Sequence, residues 1–351
     1  MQINDLEFFS VAIGKAGSDR AVRSMLLRTT TDSGREGWGE AAIGWGPGEL
    51  PARRDALLAV LAGRNIFDVE ELHTLDALAD PAVRSAVEMA CWDLAGRATG
   101  QPLCRLLGGA YRRRIPLAVR LDEGHPRRVA QDARELAEQG FHCQILSASG
   151  QIQLDLKRLS AIREVVGDRA ELRLDGARAY DLETALELCA ELDTDGDAVQ
   201  LLLDPLDTAE FYPVASLARQ TRVPLALWRT VASPADVLAV VRCDAARYVT
   251  IDPGLLGGLV PARKCTAVAE AAALHVLLAG APSVGIATAA MLHLAAATPA
   301  FSSCNECASH QTSDDVLTEP SEIIDGRMAV PQGPGLGVEV DRAKVERYQI
   351  G

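Results

Sequence analysis

The spacing of hydrophobic and polar residues changes character near residue 115, and the change divides the chain. Before it, two β-rich runs, Ile3–Val11 and Val22–Thr31, precede the turn Asp32-Ser33-Gly34 and a short strand, Glu36–Ala41. Helical periodicity then covers Leu50–Leu61, Val69–Leu78 and Ala82–Gly96. Pro81 sits where a helix can start, and Gly100 follows the end of the last one. These signals predict an α+β unit over residues 1–114.

From residue 115 the pattern becomes strand, loop, helix, repeated. Predicted strands are Pro116–Leu121, Cys143–Ala148, Glu171–Asp175, Val199–Leu203, Val223–Trp228, Arg247–Ile251, Val276–Gly280 and Ala300–Ser303. Helical stretches such as Arg127–Gln139, Leu156–Val166, Leu182–Leu192 and Pro261–Ala273 alternate with them. Eight such strands predict a parallel (β/α)8 barrel over 115–318. A doubly wound open sheet is the alternative, but no Gly-x-Gly-x-x-Gly turn follows an early strand. The tail, 319–351, breaks the repeat. Ile324–Val330 predicts a hairpin, and Pro331-Gln-Gly-Pro-Gly-Leu-Gly337 a rigid crossing back to the first unit, making that domain discontinuous.

Composition narrows the partners. The chain has 351 residues, 48% hydrophobic and 24% charged, with a net charge of −13. That charge argues against nucleic acid, which needs clustered Lys and Arg. No signal-like segment and no uninterrupted apolar run long enough for a membrane span are visible, so a cytoplasmic protein is expected. The eight Cys are scattered through predicted core elements and read as free thiols. Cys304-Asn-Glu-Cys307 with His310 leaves a structural zinc site one ligand short.

Five segments carry a resemblance: Gly37-Trp-Gly-Glu-Ala41, Ala86-Val-Glu-Met-Ala-Cys-Trp-Asp-Leu-Ala95 with Leu106-Leu-Gly-Gly109, Ile251-Asp-Pro-Gly-Leu-Leu-Gly-Gly258, Leu292-His-Leu-Ala-Ala-Ala297 and Pro331–Gly337. In this order the chain resembles the enolase superfamily, in its mandelate racemase and muconate lactonizing branch. The resemblance implies a capping domain over a modified (β/α)7β barrel, with the site at the strand C-termini. It also implies abstraction of a proton α to a carboxylate, the enediolate being stabilised by Mg²⁺. A carbon acid this weak ionises only against strong preorganised positive charge.

Position by position, the resemblance then departs from the family's chemistry. The Lys-x-Lys expected after Gly140-Phe141 falls on Ile145 and Ser147. The first metal ligand matches Asp175, the second becomes Leu203 beside Asp204, and the third falls on Trp228 or Arg229. Asp252 matches the aspartate of a His-Asp dyad whose histidine position is Gly280. The last-strand acid falls on Asn305 or Glu306. The usual Mg²⁺ is therefore expected to be absent, and no other cofactor is implied.

What remains suggests a substitute. Arg229, held by Asp175 and Asp204, would supply the charge the metal normally brings and anchor a carboxylate. Asp252, with its pKa raised by burial, would transfer the proton. Trp228, Ser147, Glu306 and the mouth-side His125 are candidate binding or supporting groups. Arg173, on the same face of its strand as Asp175, is expected to pair with it. The leading expectation is a metal-independent isomerase or lyase (racemase, cycloisomerase or dehydratase class), a homo-oligomer acting on a small carboxylate. The alternatives are an inactive scaffold whose barrel mouth is filled by Trp228, Leu203 and Ile145, and a Mg²⁺ enzyme with displaced ligands at Asp175, Asp204 and Glu306.

Overall fold

The computed structural model describes residues 1–14, 21–194, 199–306 and 312–350. The N-terminal sheet is antiparallel, with β1 (Ile3–Gly14) paired to β2 (Ala21–Thr31) and β2 to β3 (Glu36–Ala41). Helices α1 (Leu50–Leu61), α2 (Val69–Leu72) and α3 (Pro81–Thr99) cover it. The predicted helix Val69–Leu78 is interrupted: α2 stops at Leu72, and a separate 3₁₀ turn covers Asp76–Leu78. The Thr74 hydroxyl donates to the Glu71 carbonyl (2.8 Å), competing with continuation of the helix. Helix α3 begins where Asp80 accepts from Ala82 N and Val83 N, with Pro81 as first residue, and ends on left-handed Gly100. Sheet and helix meet closely, since a side chain at Gly39 would lie 2.0 Å from the Ala86 carbonyl.

A short helix, α4 (Leu103–Leu106), leads into the barrel. Its first seven parallel strands are β4 (Arg114–Arg120), β5 (Cys143–Ser147), β6 (Glu171–Asp175), β7 (Leu201–Leu203), β8 (Leu225–Leu227), β9 (Tyr248–Ile251) and β10 (His275–Leu278), paired in sequence. The eighth, β11 (Asn305–Glu306), pairs in parallel with the free edge of β4. The intervening helices are α5 (Pro126–Glu138), α6 (Ile152–Val166), α7 (Leu182–Thr194), α8 (Phe211–Ala218) and α9 (Pro234–Cys243). After β9 come α10 (Pro253–Leu256) and α11 (Leu259–Ala271), and after β10 comes α12 (Ile286–Ala297). The fold is thus α/β, a TIM-type barrel under an α+β capping unit.

The last strand differs from its predicted place at Ala300–Ser303. That segment is held instead by the Arg112 guanidinium, which donates to the carbonyls of Pro299 (3.0 Å) and Phe301. Phe301 is fully buried while Ser302 is exposed, so the segment is coil anchored by one aromatic side chain, and pairing with β4 begins only at Asn305.

In the tail, β12 (Ile323–Ile324) and β13 (Arg327–Ala329) form a hairpin around Asp325-Gly326, both with positive φ (51° and 63°). β13 adds antiparallel to β4. A side chain at Gly326 would lie 2.1 Å from the Gly140 carbonyl, so only glycine fits that approach. Beyond it Gly335 pairs with Gln101 and Leu103 next to α3, and α13 (Arg342–Tyr348) leads to Ile350, whose N–H donates to Ser10 O (2.8 Å).

Candidate functional site

Side chains alternate along each strand, so one parity of every barrel strand faces the interior. Leu201, Leu203, Ala226, Trp228, Leu277 and Ala279 form one interior cluster, and Ala118, Cys143 and Ile145 another. Toward the strand C-termini this packing gives way to charge. Asp175, the last residue of β6, is buried (1% exposed) and lies opposite Ser147 and Leu203 in register. Leu203 therefore faces the interior as the sequence register requires.

Asp204 also reaches the ring, without any slip in register. Its backbone leaves the extended region (φ 40°), and its carboxylate caps the end of the next strand. It accepts from Trp228 N (2.8 Å) and Arg229 N (3.0 Å). The Arg229 guanidinium then lies between the two aspartates. Nη1 donates to Asp175 Oδ1 (3.1 Å) and Asp204 Oδ2 (2.9 Å), and Nη2 to Asp175 Oδ2 (2.9 Å). Nε and one Nη2 hydrogen have no acceptor among the described residues, and the side chain is 32% exposed.

A second guanidinium shares the ring, and sequence reasoning missed it. Arg120, the last residue of β4, contacts Asp175 Oδ2 (2.8 Å), grips Glu306 with both Nε and Nη2, and donates to Ser147 Oγ (3.3 Å). The signal was available: Arg120 ends the first barrel strand, where a charged residue is out of place unless paired. Glu306 rather than Asn305 is the last-strand acid that joins the ring; Asn305 bonds the Ser303 carbonyl (3.1 Å). Arg173 does not pair with Asp175. It lies deeper, two residues further down β6, and bonds Gln200, Ser303 and the Cys304 carbonyl.

Trp228 sits among these charges. The Arg229 and Arg120 guanidinium carbons lie 4.5 Å and 5.6 Å from its ring centroid. On its other side the indole Nε1 donates to Asp252 Oδ2 (3.1 Å). Asp252 Oδ1 accepts from Gly254 N (2.8 Å) and Leu255 N (3.3 Å), capping α10. Arg229 and Asp252 thus communicate through Trp228 rather than facing each other directly. His125 stands apart. It is exposed and caps α5, accepting from Arg127 N (3.4 Å).

The environments push these acids apart. Burial raises Asp252 to about 6, against the donors from Leu255, Trp228 and Gly254. Burial also acts on Asp175, but Arg229 and Arg120 outweigh it and hold that carboxyl below its ordinary value. Burial would lower Arg229, and Asp175 with Asp204 more than reverse it.

Gly280 lies close to Asp252. A Cβ at Gly280 would lie 4.0 Å from Asp252 Oδ1 but 2.8 Å from Met291 Sδ. The Met291 thioether sulfur takes the space a side chain at Gly280 would need. Beside it a cavity of about 150 Å³ opens on Asp252 between the capping unit and the barrel, lined also by Glu40, Ser85 and Met291.

This donor set does not suit Mg²⁺, which needs several oxygen ligands in octahedral array. Among the described residues no three His, Cys, Asp or Glu side chains converge as ligands, and the ring's carboxylates are already spanned by guanidinium. Cys304 packs against Cys143, while Cys307 and His310 lie outside the described residues. No helix of the described residues is long and apolar enough to cross a membrane.

A capping sheet, a barrel with its charged ring at the strand C-termini, and a buried acid after β9 together define an enolase-type scaffold. The mandelate racemase / muconate lactonizing enzyme N-terminal domain family matches residues 9–108, and the enolase C-terminal domain-like family matches 128–344. The chain belongs to the enolase superfamily, in its mandelate racemase/muconate lactonizing branch. It is 30% identical over 339 residues to muconate cycloisomerase 1 of Rhodococcus opacus, covering 92% of this chain and 90% of that one. It is 23% identical over 348 residues to the N-succinyl-L-Arg/Lys racemase of Bacillus cereus, covering 95% and 92%. Among solved structures, an enolase from Streptomyces coelicolor superposes with a TM-score of 0.88 at 28% identity, covering 99% of this chain and 96% of that one. The muconate cycloisomerase of Pseudomonas fluorescens superposes at 0.91 with 22% identity, covering 100% and 99%, a likeness of fold.

Proposed function

We propose that this protein is a metal-independent isomerase or lyase that abstracts a proton α to the carboxylate of a small molecule. The observation that carries the reading is Arg229. A guanidinium fixed by two buried aspartates, with two N–H donors still free, stands where the scaffold otherwise gathers ligands for a cation. Its remaining N–H groups suit a carboxylate oxygen. Racemases, epimerases and cycloisomerases among the relatives favour the isomerase class.

In this reading the substrate carboxylate docks on Arg229. The α C–H bond breaks, its proton passes to Asp252, and the electron pair moves into the carboxylate as an enediolate. Each fixed donor to such an oxyanion is worth about 3–4 kcal/mol in comparable sites. An acid with a pKa near 6 is mostly ionised at neutral pH yet basic enough to accept a proton. An isomerase returns the proton; a lyase expels a group from the β carbon. Trp228 and Arg120 position the two reacting side chains, with Asp175, Asp204, Glu306 and Ser147 in support. His125, exposed at the start of α5, is assigned only to the rim of the site. The partner is a small carboxylate, and a homo-oligomer is expected.

One observation favours a second reading. Trp228 fills the space between Arg229 and Asp252, and the ring pairs its own charges. An inactive scaffold used for binding or assembly accounts for both.

The test is α-proton exchange. A library of small carboxylates is incubated in D₂O with EDTA-treated protein and followed by NMR. The proposal expects deuterium at the α carbon for at least one compound, retained in EDTA and lost in Asp252→Asn and Arg229→Ala. Exchange only after adding Mg²⁺ would overturn the metal-independent mechanism, and no exchange with any compound would favour the inactive scaffold.

A further inference from the structure

The cavity beside Asp252 has a wall that the proposed chemistry does not use. One face of α3 forms it, with Ala82, Ser85 and Met89 at spacings of three and four residues. Ala287, Ala290 and Met291 of α12 form another wall with the same periodicity. The space is therefore shaped by both domains.

Ser85 is the informative residue. It is 3% exposed and lines the cavity, yet its hydroxyl has no hydrogen-bond partner among the described residues. A helix serine ordinarily turns its hydroxyl onto the carbonyl one turn earlier. Its oxygen is not sealed off from the cavity, so its donor and acceptor capacity is open to whatever occupies that space. The other polar groups at the wall are satisfied within the protein. Ser24 donates to Glu40 (2.8 Å), and Ser283 pairs with Thr288 (2.7 Å). Asp252 accepts three hydrogen bonds. No Lys, Arg or His lines the space, so nothing there would neutralise an anion. At about 150 Å³ it matches the size of an apolar cavity that accommodates benzene.

We propose that this cavity receives the uncharged end of the substrate, a compact apolar group bearing one hydroxyl or carbonyl that Ser85 hydrogen-bonds. The α carbon lies at the Asp252 end of the cavity, and the carboxylate reaches Arg229 around the Trp228 indole, which stands between the two side chains. The placement rests on the function proposed above; the cavity's ligand preference does not.

Phenol, benzene and benzoate are the probes, titrated against the whole protein by ligand-observed NMR. Phenol and benzene should bind, with benzoate failing to displace them. Ser85→Ala should weaken phenol at least fivefold and leave benzene unchanged. Ala290→Leu, which fills the cavity, should weaken both at least tenfold. Ala82→Leu at the cavity margin should do the same if the buried Ala290 variant fails to fold. Absence of phenol binding to the wild type, or binding unchanged in the filled variants, overturns the site. Phenol binding unchanged in Ser85→Ala overturns the role of the serine. Phenol binding without α-proton exchange for any carboxylate would leave the cavity standing and sink the proposed reaction; exchange without phenol binding would do the reverse.

Discussion

Asp252 and Asp175 lie in one barrel mouth, are both buried, and are driven in opposite directions. Asp175 has two guanidinium neighbours, while Asp252 has only neutral donors to oppose desolvation. The consequence for Asp252 can be measured. Its pKa is raised from 3.8 to about 6, so the folded state holds this proton more tightly than the unfolded chain does. Its contribution to stability is fully present below about pH 4 and is lost as pH rises to 6 and beyond. By the shift alone the loss is about 3 kcal/mol. Asp252→Asn, which keeps the shape and removes the charge, should therefore gain stability relative to wild type between pH 4 and 7. Urea denaturation across that range reads the difference, and a constant gap would contradict the raised pKa.

At the scale of elements, the loop after β10 is fixed by a capping-domain side chain. Glu40 on β3 accepts from Val284 N (2.6 Å), Ala287 N (2.8 Å) and Ser24 Oγ (2.8 Å), and burial raises its pKa despite these donors. Removing the carboxyl leaves buried N–H groups without acceptors, at about 1–3 kcal/mol each. Glu40→Ala should thus cost about 3 kcal/mol or more, with faster amide exchange at Val284 in the loop and at Ala287 than along the rest of α12. Uniform exchange along α12 would show that Glu40 does not hold the loop. Element boundaries divide along similar lines. Strands and helices stabilised by local periodicity, such as Glu171–Asp175 and Leu50–Leu61, are read directly from sequence. The last barrel strand is not, because Ala300–Ser303 has strand-like residues and tertiary contacts from Arg112 withhold it from the sheet.

For the whole molecule, Asp93 joins three distant parts of the chain. This residue of α3 accepts from Trp38 N on β3 (3.0 Å), Leu336 N in the tail (2.9 Å) and Arg97 Nε (3.0 Å). Glu88 reaches the barrel side as well, accepting from Val260 N (2.9 Å). Breaking a buried charge pair by deleting one partner costs about 3–5 kcal/mol. Asp93→Ala should lower stability by that order and loosen the C-terminal tail first, seen as limited proteolysis near residues 331–340 at temperatures where the barrel still resists. Proteolysis beginning elsewhere would show that the tail does not depend on this carboxylate.

The sequence by itself determined the layers and the direction of the strands. The two hydrophobic periods are local properties, and burial of each apolar face leaves few arrangements. It also located Asp175, Arg229 and Asp252, because strand-end positions can be counted along a repeating βα pattern. Only the tertiary structure decided how those charges pair. Arg120 enters the ring from a strand 55 residues before Asp175 in sequence. Asp204 enters by a backbone turn rather than by strand parity, and Trp228 comes between Arg229 and Asp252. Ser85 gains its meaning only when α3 and α12 enclose a space between them. Side-chain pairing and enclosed volume depend on residues brought together from distant parts of the chain, and periodicity along the sequence carries no record of them.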